Sequence, residues 1–291
     1  MMRLFLFLAT NAAIMIVVTL IFNLFGLQST LDAQGVNLNL KALLMMSAII
    51  GMSGSVISLV MSKWSAKQAM GVSVIENPSN ETERWLLDTV RRQAQQAGIG
   101  MPEVGIFDTS APNAFATGMS RDSALVAVST GLLHNMNEAE VEAVIGHELT
   151  HVANGDMVTM ALMQGVVNTF VFFFASIIGY VVDRTVFKTE RGNGPAYYIT
   201  QIAAQIVLGI LASILVMWFS RRREFRADAG GAKLASTEKM IAALQALQRA
   251  HETPDMPAQL AAFGINGGGM SRLFMTHPPL EERIAALRNS Q

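Results

Sequence analysis

The sequence predicts a mainly α-helical integral membrane protein with four hydrophobic helices and a soluble α+β domain. Hydrophobic residues make up 51% of the 291 residues and charged residues only 15%, and the mean hydropathy is +0.37. These values are unusual for a soluble protein. Four apolar runs are each long enough to supply the roughly 20 residues that cross a hydrocarbon core. The stretches after the second and fourth runs are polar and contain helix caps and turns.

The first two apolar runs, residues 4–27 and 40–62, contain no acidic residue. The first run is longer than the roughly 7 to 15 apolar residues of a signal peptide, and no small-residue cleavage pattern follows it. We therefore expect residues 1–62 to form an uncleaved two-helix transmembrane anchor.

The other two runs, residues 157–182 and 197–219, are joined by a short charged loop. They predict a transmembrane helical hairpin over residues 157–219. A buried hairpin inside a soluble domain is the alternative, because glutamines dilute the apolar signal.

Cationic residues at the ends of the runs predict that both termini are cytoplasmic, because loops on that side are enriched in lysine and arginine. Whether or not the second pair crosses completely, residues 63–156 and 220–291 lie on the same side of the membrane. We expect these two stretches to form one cytoplasmic domain. The cations assigned to the cytoplasmic side are Arg3, Lys63, Lys67, Arg221, Arg222 and Arg223, and those assigned to the other side are Lys41, Arg184, Lys188 and Arg191.

The first soluble stretch contains signals for two helices and a small sheet. Asn80 is placed to cap one helix, and Asn137 is placed to cap a second that ends near Gly155. Between them, the β-like runs at 103–107 and 124–128 predict a small antiparallel sheet.

Composition excludes several classes of function. The formal net charge is −1 and no basic face or arm stands out beyond one short arginine cluster, so we expect no nucleic-acid partner. The chain has no cysteine, so a transition metal must be bound by histidine and carboxylate side chains.

The second soluble helix contains the motif HELTH, with His147 and His151 four residues apart. This spacing puts both imidazoles on one helix face, within reach of one zinc ion. Glu148 lies beside them, where a carboxylate acts as the general base for metal-assisted hydrolysis.

A catalytic zinc needs a third protein ligand, and Glu224 is the main candidate because it directly follows the fourth apolar run. Asp228 follows one helical turn later, where it could accept a hydrogen bond from the outer nitrogen of a ligating histidine. The alternative for both residues is a solvated helix start paired with neighbouring arginines.

The chain resembles the HtpX membrane metalloproteases, which are related to the CAAX prenyl endopeptidases. The resemblance covers essentially the whole chain. It is carried by HELTH, by SRRREFRAD at 220–228, by THPP at 276–279 and by NAFATG at 113–118. It implies a gluzincin-type zinc endopeptidase of the bacterial inner membrane, with one Zn²⁺ per chain and a two-part zincin-like domain. It also implies stress-induced proteolysis of damaged or misassembled membrane proteins, and self-cleavage. Protein substrates and the lipid bilayer are the expected partners.

In the predicted mechanism, zinc is held by His147, His151 and Glu224 and polarises the scissile carbonyl. Glu148 takes a proton from the zinc-activated water and delivers it to the leaving amine.

Other residues have less specific signals. His277 and the arginines at 221–223 are candidates to stabilise the oxyanion, and His277 could instead be a turn residue before a proline-initiated helix. The stretch after Pro112 could be an edge that pairs with an extended substrate, or a plain loop. The residues proposed to bind substrate there are Asn113, Ala114, Phe115 and Ala116.

A non-proteolytic membrane protein, such as a holdase or metal carrier with a structural zinc site, is the alternative from another class. Glu148 argues against it, because a structural site is usually closed by four ligands and needs no free carboxylate beside the metal.

Overall fold

The structure, a computed structural model, describes residues 38–189, 192–252 and 277–290, together with five isolated positions before residue 30. The predicted first span, residues 4–27, lies outside the described ranges. The helices, in chain order, are α1 Leu40–Met70, α2 Glu81–Ala97, α3 Thr130–Asn135, α4 Glu138–Asn154, α5 Asp156–Thr185, α6 Pro195–Leu234, α7 Thr237–Glu252 and α8 Leu280–Asn289. The strands are β1 Ser73–Val74, β2 Glu103–Phe107, β3 Ala114–Gly118 and β4 Ala124–Ser129.

Three helices among the described residues are long and apolar enough to cross a membrane. They are α1, α5 and α6, with 31, 30 and 40 residues. They contain the predicted runs at 40–62, 157–182 and 197–219. The prediction of four hydrophobic helices therefore exceeds by one the number found in the described part, because the remaining run falls outside it.

The chain divides into two compact units. The first, which we call the helical unit, comprises Met1–Ile57 and Ala161–Val216. The second, which we call the site unit, comprises Ser58–Met160 and Met217–Gln291.

Small residues bring α1 and α5 close together in the helical unit. A Cβ atom added at Gly51 would lie 2.5 Å from the backbone nitrogen of Thr169. One added at Gly165 would lie 2.8 Å from the sulfur of Met52. Such close backbone approach is how helices pack where there is little hydrophobic driving force between them.

The site unit contains a four-stranded sheet in the order β1-β2-β4-β3. The expectation of an antiparallel sheet is wrong for its central pair, because β2 and β4 are parallel, with Val104 opposite Val126. The other two pairs are antiparallel. The reason is the strand order. After β2 the chain first forms the edge strand β3 and then returns to place β4 between β2 and β3. As a result, β4 is buried along its whole length and β3 forms an edge of the sheet.

The helix that contains HELTH is fixed at both ends by its own sequence. Asn137 accepts a hydrogen bond from the Glu140 backbone, and the Glu140 side chain accepts one from the Asn137 backbone, which forms a complete capping box. At the other end, Gly155 has φ +63° and closes the helix in the left-handed conformation that glycine tolerates best. Helix α4 packs against α2, α7 and the sheet, in a core that includes Leu86, Val126, Ile145, Leu149 and Leu244.

Candidate metal centre

The two histidines of helix α4 bring one ring nitrogen each close together. The Nε2 atoms of His147 and His151 are 3.2 Å apart. His147 is buried and His151 half-buried, as expected for side chains one helical turn apart on an inward-facing stripe.

Helix α6 contributes Glu224, which is 2% exposed. One carboxylate oxygen lies 3.5 Å from His147 Nε2 and the other lies 3.4 Å from His151 Nε2. A tetrahedral ion with bonds of roughly 2.0–2.2 Å holds its ligand atoms about 3.3–3.6 Å apart. The two nitrogens and the carboxylate are typical zinc ligands and lie close to this spacing, and these three residues form a group that could hold a metal.

Glycines allow α6 to approach α4 this closely. A Cβ atom at Gly230 would lie 2.2 Å from Thr150 Cγ2, and one at Gly231 would lie 2.9 Å from the backbone nitrogen of His147. On α4, a Cβ atom at Gly146 would lie 3.3 Å from Gly231 Cα. Because glycines occupy this crossing, the two helices can pack closely enough for Glu224 to reach the histidines.

Each histidine has a carboxylate behind it. Asp228 Oδ1 is 2.9 Å from His147 Nδ1, and Asp156 Oδ2 is 2.7 Å from His151 Nδ1. Arg283, from α8, donates to both oxygens of Asp228, at 2.8 and 2.6 Å. These contacts direct both Nε2 atoms towards Glu224, because the outer nitrogen of a ligating histidine normally donates to a carboxylate or carbonyl.

Without a metal, both imidazoles hold their protons more tightly than usual. Burial alone lowers the pKa of His147, but its hydrogen bonds to Asp228 and Glu224 outweigh burial, so the pKa lies above its ordinary value. Burial also lowers the pKa of His151, but the hydrogen bonds to Asp156 and Glu224 raise it to about 9. A metal must therefore compete with protons for these nitrogens.

A cavity of about 950 Å³ opens at His147 and Glu224. Glu148 lines it and is half-buried beside His147. His277 also lines it, with Nδ1 2.8 Å from Glu224 and 61% of its side chain exposed. The other polar lining residues include Asn113 and Arg283, and the apolar ones include Ala114, Val144, Leu244, Leu247 and Pro279. The cavity therefore places the Glu148 carboxylate, the side chains of His277 and Arg283, and an apolar surface beside the candidate metal site.

The remaining sequence-predicted residues lie elsewhere in the site unit. Phe115 and Ala116 belong to the edge strand β3, and the Phe115 ring lies 5.4 Å from the ring of Phe107. Of the predicted arginines, Arg222 lies over the Trp218 ring. Arg223 donates towards the Asp156 carbonyl at 3.4 Å.

Sequence reasoning missed two residues, Asp156 and Arg283. Asp156 carried a local signal, since it begins α5 only five residues after His151. Arg283 carried none, because nothing in its helix indicates that the helix packs beside residues 147 and 228.

The sequence pattern of "Peptidase family M48" matches residues 80–291, which is most of the chain. The chain belongs to this family. A protein named "Protease HtpX" from Thioalkalivibrio sulfidiphilus is 64% identical over 294 residues, covering all of both chains. Another of that name, from Pseudoalteromonas atlantica, is 61% identical and covers 99% of each. The resemblance to HtpX is thus confirmed, and this M48 member is a membrane metalloprotease of the bacterial type.

A solved structure shares the fold. The crystal structure of S. mikatae Ste24p matches with a TM-score of 0.64 over 93% of this chain and 66% of that chain. Sequence identity is 17%, so this comparison shows a common fold and nothing further.

Proposed function

We propose that the chain is a zinc-dependent endopeptidase in which His147, His151 and Glu224 bind the metal and Glu148 is the general base. One observation carries this proposal. Two imidazole nitrogens and a carboxylate converge at the spacing of tetrahedral zinc, and a further carboxylate stands beside them in an open cavity. A hydrolytic site needs this arrangement, in which a coordination position and a base are both open to substrate.

The bound zinc would polarise the scissile carbonyl and lower the pKa of a water molecule. The Glu148 carboxylate accepts the proton from the attacking water and transfers it to the nitrogen of the leaving amine. Asp228 and Asp156 accept the outer N–H groups of the two histidines and fix their orientation.

His277 and β3 are proposed to bind the reacting peptide. His277 Nδ1 lies 2.8 Å from the Glu224 carboxylate and donates to it, so Nε2 can also donate, to the oxyanion that forms on the scissile carbonyl, when both ring nitrogens carry a proton. Asn113 directly precedes the edge strand and Ala114 begins it, both at the cavity, and Phe115 and Ala116 continue it. An edge strand can bind an extended peptide through backbone hydrogen bonds, with little dependence on its sequence.

The proposed location is the bacterial inner membrane, with the active site and both termini in the cytoplasm. The cations Lys63, Lys67 and Arg221 to Arg223, which follow two of the apolar runs, support this orientation. The proposed substrates are damaged or misfolded membrane proteins and unstructured polypeptides. The membrane helices and the edge strand β3, which can pair with a peptide backbone, support this proposal.

Cleavage of casein by detergent-purified protein with added zinc tests the proposal. We expect Glu148→Gln to bind zinc like the wild type but to lose cleavage by about 10²- to 10⁴-fold, the usual contribution of a general base. Glu138→Gln is the matched control, because Glu138 is exposed on the same helix, and it should cleave normally. If the wild type binds zinc and cuts nothing, a structural zinc site in a holdase or metal carrier becomes the better description.

A further inference from the structure

Helix α6 has an aromatic residue at each end of its apolar stretch. Tyr198 is 54% exposed and Trp218 is 46% exposed. They are twenty residues apart, which at 1.5 Å per residue is about 30 Å. This is the thickness of a hydrocarbon core, and tyrosine and tryptophan are enriched at its two surfaces. Between them, Ile202, Ile206 and Ile210 are exposed along the helix, as lipid-facing residues are.

The Trp218 end also has the charge expected of a membrane surface. The Arg222 guanidinium lies 4.5 Å from the Trp218 ring centre and its side chain is exposed. Trp64, at the end of the run at 40–62, is 60% exposed and belongs to the same unit as Trp218. An exposed tryptophan beside arginine suits the layer of lipid headgroups, where the ring meets the acyl boundary and the cation meets phosphate.

The candidate metal ligands lie close to this end of the apolar stretches. Glu224 is six residues beyond Trp218 in the same helix, or about 9 Å along its axis. His151 is hydrogen-bonded to Asp156, the residue that directly precedes the apolar run at 157–182. Arg223 connects the end of the α6 apolar stretch to the start of α5, because it donates to Ser220 Oγ at 3.1 Å and to the Asp156 carbonyl at 3.4 Å.

We propose that the hydrocarbon core ends at Trp218 and that the candidate metal centre lies about 9 Å beyond it, just outside the headgroup layer. That layer is roughly 5–7 Å thick on each side of the bilayer. About three extended residues span 9 Å. A segment only a few residues from a membrane span can therefore reach the metal centre. Resting on the proposed protease function, segments within about ten residues of a span are cut in preference to a remote soluble tail, because the effective concentration falls with linker length.

The depth can be measured without any cleavage, because the chain has no cysteine and a single one can be labelled. Arg226→Cys, two residues beyond Glu224 and exposed, is labelled with a fluorophore in nanodiscs. We expect strong quenching by lipids with a nitroxide on the headgroup and little by lipids with a nitroxide deep in the acyl chain. Ile210→Cys, exposed about 12 Å back along the helix from Trp218, should show the reverse order. Absence of headgroup quenching at Arg226→Cys, or stronger acyl-chain quenching there, overturns the proposed depth.

The substrate preference is tested with a single-span protein that carries one cleavable sequence 10 or 60 residues from its span. Effective concentration falls roughly as the −3/2 power of linker length, so the nearer site should be cut about 15-fold faster. The same two polypeptides without the span should be cut at equal rates. Equal rates for the membrane-bound pair, or a faster distal site, contradict the inference. If no form is cut, the protease proposal fails, while the quenching result still decides the depth.

Discussion

The crossing of α6 over α4 predicts a measurable effect of adding one methyl group at Gly231. Its Cβ atom would lie 2.9 Å from the backbone nitrogen of His147 and 3.2 Å from its Cα. Ordinary contacts of this kind begin near 3.4 Å, so Gly231→Ala must separate the helices by about half an ångström. Because these are backbone atoms of α4, no side chain can rotate to relieve the contact.

The cost to stability and the cost to metal binding should differ. Alanine is favoured over glycine in a helix by about 1 kcal/mol, while overpacking costs roughly 1–3 kcal/mol, so the net loss of stability is about 0–2 kcal/mol. Metal binding suffers more, because Glu224 and Asp228 move with α6 away from His147. Disturbing such ligands and their supports typically lowers metal affinity 10- to 100-fold, and we expect a loss of that size.

Zinc affinity, measured by competition with a fluorescent chelator, checks this expectation. Gly209→Ala is the matched control, because it lies in the same helix and its Cβ atom would have no neighbour within 4 Å. We expect the control to bind zinc like the wild type. If Gly231→Ala binds zinc equally tightly, the glycine crossing does not set the ligand spacing and the reasoning is wrong.

Three further predictions concern the surroundings of the metal site. Asp156→Asn should weaken zinc binding at least tenfold in the chelator assay, because His151 loses its charged partner, and unchanged affinity would contradict that role. The pKa of His151 is raised to about 9, so in the metal-free protein its imidazole is fully protonated well below pH 9 and loses a proton above it. Zinc affinity should therefore fall by at least tenfold per pH unit between pH 8 and 7, and calorimetry should detect proton release; a pH-independent affinity would refute this. Ser129→Ala removes a buried hydroxyl that bonds to the backbone of Asn113 and Leu132, and should raise the KM for peptides several-fold while zinc affinity stays constant.

Local sequence predicted the parts of the molecule that local physics determines. The apolar runs are long enough to identify spanning helices without tertiary information, and Asn137 and Gly155 bound α4 by capping rules alone. Glu224 could be selected because membrane parity limits which carboxylates can reach His147 and His151.

Contacts between distant parts of the chain could not be predicted in this way. The parallel pairing of β2 with β4 depends on β4 inserting between its neighbours, and nothing in the run at 124–128 specifies its partner. Likewise, Arg283 reaches Asp228 from 55 residues away, and the sequence of its helix does not distinguish it from a solvent-exposed arginine. Such contacts are set by how the helices cross, which short-range patterns do not encode.

The charges around the site explain how it can keep its shape before a metal binds. Four carboxylates, those of Glu148, Asp156, Glu224 and Asp228, approach the two histidines, while Arg283 is the cation that pairs with Asp228. Buried carboxylates without compensating charge would repel one another. In the metal-free protein, protons on the histidines supply that charge, which is the physical reason for the raised pKa values of His147 and His151. A divalent cation replaces these protons in the same place, so zinc can enter with little rearrangement of the surrounding residues.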